Sequence, residues 1–138
     1  MITIPLVRSF SPGAVIAHRG GRAVGVEVFL RDAQTLAAQL PDRRHVLNVC
    51  ADRYRFMVGF AAALLRRQVS LLPPTVTPDL VDRLAAPYPD VYCLSDKPSG
   101  GESLQTVGFP EGTGGRPETT IPVLPAAQVA GLGFTCGS

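Results

Sequence analysis

The residues best suited to chemistry converge near one end of the sequence, in Phe134-Thr135-Cys136-Gly137-Ser138. A strand that empties into hydroxyls and glycine can offer backbone N–H groups and O–H donors to phosphate oxygens. Thr135, Cys136, Gly137 and Ser138 are therefore the candidate phosphate-binding residues. Taken alone, the same stretch also reads as a polar turn after a strand. Gly112-Thr113-Gly114-Gly115 has no strand before it and no helix after it, so it fails the context test for a dinucleotide fingerprint and reads as a flexible loop. His18, in a turn, and His45, at a strand start, have no partner at ligand or triad spacing. Asp52 reads as a helix cap and not as a catalytic acid. No catalytic residue and no metal ligand is assigned.

The elements that must position these groups follow from periodicity. Val15-Ile16-Ala17 and Ala23-Val24 flank His18-Arg19-Gly20-Gly21-Arg22, which predicts a β-hairpin. Gly25 then caps a helix reaching about Leu40, with Phe29, Ala33, Leu36, Ala37 and Leu40 on one face and Pro41-Asp42 ending it. His45 to Cys50 is rich in β-formers and predicts a strand. Asp52 caps a helix from Arg53 to about Arg67 that is apolar nearly all round between Phe56 and Leu65. Such a helix must be covered on several sides, and Arg66-Arg67 suits its negative end. Val69 to Leu72 is a strand stopped by Pro73-Pro74, and Thr77-Pro78 opens a third helix with Leu80, Val81, Leu84 and Ala85 inward. Val91 to Leu94 and Val129 to Phe134 complete the strands. Residues 95–125, rich in Gly, Pro, Ser and Thr, read as a flexible linker or one irregular hairpin with apolar islands at Leu104-Val107 and Ile121-Leu124. Hairpin first, then helix and strand in alternation, predicts an α/β fold: a mainly parallel sheet with flanking helices, as a single α/β domain over 1–138. Ligands on such sheets bind beyond the carboxyl ends of the strands, where Thr135 to Ser138 would fall.

Composition narrows the function classes. With 138 residues, 46% hydrophobic and 17% charged, the chain can bury one core. Its longest apolar run, Phe56 to Leu65, is about half of the roughly 20 residues that a bilayer span needs. No basic segment precedes an apolar stretch at the start, so a cytoplasmic location is expected, with no membrane partner. The net charge of +2 is too small to argue for nucleic acid. Lys97 is the lone lysine, and the pairs Arg43-Arg44 and Arg66-Arg67 form no stripe with aromatics, so they read as solvated helix and loop ends. Cys50, Cys93 and Cys136 lie far apart without C-x-x-C spacing, which predicts buried thiols at 50 and 93.

Several stretches, taken in order, resemble the opening of AMP-forming acyl-CoA synthetases and related adenylating ligases. They are Arg22-Ala23-Val24-Gly25-Val26, the amphipathic helix, the strand into Asn48-Val49-Cys50-Ala51-Asp52-Arg53-Tyr54, and the helix ending Ala61-Ala62-Ala63-Leu64-Leu65-Arg66-Arg67-Gln68. Val69-Ser70-Leu71-Leu72-Pro73-Pro74 is similar to the family's strand with a proline-ended loop. Phe134 to Ser138 looks like the first half of its aromatic-Thr-Ser-Gly-Ser-Thr-Gly-x-Pro-Lys phosphate loop, with Cys136 in place of the first serine, a weaker donor. The resemblance implies ATP and Mg2+ as cofactors, and a carboxylic acid and a CoA or carrier-protein thiol as partners. It implies attack of the carboxylate on the α-phosphate, then transfer of the acyl group to the thiol. The loop lysine and the family's later nucleotide-binding regions are not among these 138 residues. The expectation is therefore an amino-terminal portion, inactive alone and prone to self-association through uncovered apolar surface. The alternative is a standalone nucleotide- or partner-binding α/β module without catalysis.

Overall fold

The computed structural model describes residues 3–6, 15–19, 21–73, 77–96, 106–109, 122–125 and 127–133. A short strand, β1 (Thr3–Pro5), precedes the expected hairpin, β2 (Val15–Arg19) and β3 (Arg22–Gly25), in which Arg19 faces Arg22. Gly21 takes φ +80, the left-handed value that made glycine the residue for this turn. Helix α1 (Val26–Ala37) follows directly from Gly25, whose extended backbone forms the cap. Its buried residues Val26, Phe29, Leu30, Ala33, Leu36 and Ala37 recur every three or four positions and so share one face. The helix ends three residues before the expected Leu40. Pro41 lacks an N–H and its ring opposes the carbonyl four residues back, so the chain tightens there, with Gln39 N–H on Leu36 O at 2.9 Å.

Strand β4 (His45–Asn48) leads into α2 (Arg53–Leu65), β5 (Val69–Leu72), α3 (Pro78–Ala85) and β6 (Tyr92–Ser95). Both predicted side-chain caps are present. The Asp52 carboxylate accepts from Arg55 N–H at 2.9 Å, and the Thr77 hydroxyl oxygen accepts from Leu80 N–H at 3.2 Å. The remaining strands are β7 (Thr106–Gly108), β8 (Val123–Pro125) and β9 (Gly131–Gly133).

Five strands form one parallel sheet in the order β7-β6-β4-β5-β9, which bears out the mainly parallel α/β reading. The two apolar islands of the 95–125 region do not pair with each other as an irregular hairpin. Thr106–Gly108 joins the main sheet beside β6, and Val123–Pro125 pairs antiparallel with β1. Such three-residue edge strands, flanked by Gly and Pro, carry no period long enough to read.

The chain steps from β4 to β5 in one direction and from β5 past β4 to β6 in the other. Right-handed crossovers then require their helices to lie on opposite faces. On one face, α1 and α2 cover Val46, Tyr92 and Leu94. On the other, Val81 and Leu84 of α3 cover Leu47, Leu71 and Cys93. Alternate residues of each strand thus serve opposite cores. Helix α2 lies hard on the sheet at Gly59, where a Cβ would stand 2.7 Å from Asn48 Nδ2 and 2.7 Å from Leu94 Cδ2. Leu64, expected in the core from the apolar run, is only half-buried. At the amino end of the sheet, Tyr92 donates to Gln68 Oε1 at 2.5 Å and Gln68 donates to Pro41 O at 2.7 Å. No helix of the described residues is long and apolar enough to cross a membrane.

Candidate functional site

The chain leaves β4 toward β5 and leaves β6 toward β7, so the connections diverge at the carboxyl ends of β4 and β6. A crevice of this kind is where open parallel sheets hold ligands. Asn48 to Asp52 and Ser95-Asp96 line it. The Asp96 carboxylate accepts from Ala51 N–H at 3.1 Å and from Asp52 N–H at 2.9 Å. Asn48 accepts from Cys50 N–H at 3.1 Å and donates to Phe56 O at 3.0 Å. With Asp52 on Arg55 N–H, the amides of Ala51 and Asp52 ahead of α2 and that of Arg55 in its first turn are taken by the chain's own carboxylates. Those three amides are not presented to an external phosphate.

Electrostatics follow from this arrangement. Burial would raise the Asp96 pKa, but the hydrogen bonds from Asp52 and Ala51 outweigh it and lower it from 3.8. Cys50 moves the other way: burial first, then the neighbouring Asp96 charge, push its thiol up to about 12. Its Sγ faces Leu94 O at 3.8 Å. Cys50 therefore stays a thiol at neutral pH and is no nucleophile. Cys93 is buried, as its isolated position in the sequence implied, while Cys50 is half-buried. The Arg55 guanidinium lies 5.9 Å from the centre of the Phe109 ring, joining the rim of α2 to the end of β7.

Thr135, Cys136, Gly137 and Ser138 lie outside the described residues, as does Gly112 to Gly115. The strand ahead of the former is described: β9 runs parallel to β5, with Leu72 opposite Gly133, so it heads toward the carboxyl ends. Among the described residues no group of three or more His, Cys, Asp or Glu is placed to hold a metal ion. With Asp52 and Asp96 on backbone amides, these residues do not fit an Mg2+ centre.

Sequence reasoning missed Asp96 and the partner of His45. His45 Nδ1 sits 2.8 Å from Asp90 Oδ1 and its ring packs 4.8 Å from Tyr88. Burial would raise the Asp90 pKa, but His45 and the Arg44 amide outweigh it and lower it from 3.8. This pair ties the start of β4 to the turn before β6, at the end of the sheet away from the crevice. The arginine pairs lie at helix and loop ends, as expected, but they come together in space. Arg43, Arg44, Arg66 and Arg67 line one open concavity at that same end.

No protein-family model matches the chain, and no curated protein matches it. Among solved structures the fold is similar to O-succinylbenzoate coenzyme A synthetase (MenE) from Bacillus subtilis, solved in complex with AMP. The TM-score is 0.62 at 16% identity, over 87% of this chain and 35% of that one. The chain thus spans about a third of that enzyme's length, and the two share the α/β fold built on a parallel sheet.

Proposed function

We propose that the chain is an amino-terminal portion of an AMP-forming acid–thiol ligase. In the complete enzyme a carboxylic acid reacts with ATP to give an acyl-adenylate and pyrophosphate, and a CoA or carrier-protein thiol then takes the acyl group. The observation that carries this reading is the course of β9, which heads toward the carboxyl ends and is followed in sequence by Phe134-Thr135-Cys136-Gly137-Ser138. The shared fold with an acyl-CoA synthetase supports it. Thr135, Gly137 and Ser138 bind phosphate oxygens in this proposal, with the Cys136 thiol a weaker fourth donor. The crevice between β4 and β6 has a different task. Asp96 and Asp52 close it and hold α2 firmly against the sheet that carries β9. In the complete enzyme ATP would supply the leaving pyrophosphate.

Reading the DNA beyond the codon for Ser138 tests this most directly. The expected result is a continuation encoding Thr-Gly-x-Pro-Lys, in frame or after a stop or frameshift. Its absence from all three frames overturns the ligase reading and favours a standalone binding module. A second measurement is ATP–pyrophosphate exchange with fatty and aromatic acids. The 138 residues alone are expected to show none above a protein-free control, because the lysine of the loop is not among them.

A further inference from the structure

The concavity at the amino end of the sheet has a volume of about 550 Å³ and is lined by four arginines and a single acidic residue, Asp42. It lies where Arg43 and Arg44 lead into β4 and where Arg66 and Arg67 leave α2 for β5. A common use of arginine near helix ends is to cap terminal carbonyls. Arg66 does this, donating to Ala37 O at 2.9 Å. The Leu64 carbonyl at the end of α2 accepts from Gln128 Nε2 at 3.0 Å. Arg43 reaches Asp90 O at 3.4 Å. The Asp90 carboxylate is occupied by His45 and by the Arg44 backbone amide. Among the described residues the guanidinium groups of Arg44 and Arg67 have no carboxylate or carbonyl partner. Arg67 also sits at φ +56, a left-handed position just past a helix end that is usually glycine. Neither capping nor backbone geometry accounts for an arginine there.

We propose that this concavity binds a small organic phosphate, with Arg44 and Arg67 as its phosphate ligands and Arg43 and Arg66 adding positive potential. The volume suits a molecule of sugar-phosphate size. Guanidinium forks match phosphate oxygens in geometry and charge. A nucleic acid fits less well, since the arginines gather in one hollow with no aromatic lining and the net charge is only +2. The site stands at the opposite end of the sheet from the crevice and from the course of β9, and it does not depend on the ligase reading.

The test is calorimetric titration of the whole chain with ribose 5-phosphate, ribose, inorganic phosphate and a short single-stranded oligonucleotide. Saturable binding of ribose 5-phosphate, competed by phosphate and absent with ribose, is expected. Arg67→Gly relieves the left-handed backbone while removing the charge. It should melt at or above the parent temperature yet bind about fivefold or more weakly, and Arg44→Gln should weaken binding similarly. Arg22→Gln, in the hairpin, should bind like the parent. No saturable binding up to about 10 mM, roughly the weak limit of a specific small-molecule site, overturns the proposal. So does unchanged affinity in Arg67→Gly, or an equal loss in Arg22→Gln. Tighter binding of the oligonucleotide than of ribose 5-phosphate overturns the small-molecule assignment.

Discussion

At the scale of single residues, Asp96 does the most for the carboxyl end of the sheet, since its two oxygens serve two amides ahead of α2. Asp96→Asn keeps one acceptor oxygen and sets an NH2 group against the other amide. A loss of about 1–2 kcal/mol in urea unfolding at pH 7 is expected. The sign of its pH dependence follows from the lowered pKa. The folded carboxylate holds its charge to lower pH than the unfolded one, so its stabilisation is complete above about 4, the unfolded value. It is lost as pH falls through the folded value. Between pH 5 and 3 the parent should therefore lose stability more steeply than Asp96→Asn. Equal slopes would remove Asp96 from this role. Cys50 supplies a second check: with its pKa near 12, iodoacetamide should alkylate it far more slowly at pH 8 than a free thiol. The inert thiol was expected from the sequence, but the role of Asp96 was not visible there. The partners of Asp96 lie beyond two helices and two strands, and only the adjacency of β4 and β6 brings them together.

At the scale of elements, caps and faces were legible where a single residue type sets the geometry. Gly21, Gly25, Asp52 and Thr77 each act as their types imply. Burial along α2 was not, because an all-apolar helix hides which face meets the sheet. Leu30, fully buried on α1, should cost about 2–5 kcal/mol on change to Ala, and half-buried Leu64 clearly less. Gly59→Ala sets two effects against each other. Alanine favours the helix by about 1 kcal/mol, whereas its Cβ meets Asn48 and Leu94 at 2.7 Å. Overpacking of this kind costs about 1–3 kcal/mol, so net destabilisation is expected in thermal unfolding. The arginine hollow was half legible. In a parallel pair the residues preceding both strands lie at the same end, so Arg44 before β4 and Arg67 before β5 had to come near each other.

For the molecule as a whole, the described surface leaves large apolar side chains open at Val15, Leu72, Val123 and Val129. Among the described residues β7 and β9 are the edges of the main sheet, each of three residues. Exposed apolar groups beside unpaired strand edges favour association with another chain. Sedimentation velocity from low micromolar to several hundred micromolar should show the average mass rising with concentration. A single monomer throughout would show that these edges are well protected. The order of the strands also sets a timetable. Leu47 meets Leu71 early in synthesis, but Leu71 meets its other neighbour, Leu132, only after α3, β6, β7 and β8 have been made. Closing so long a loop is slow compared with local helix formation. Within the main sheet, the outer side of β5 therefore stays unpaired longest as the protein emerges from the ribosome, and it is the place in that sheet where a chaperone has most to protect.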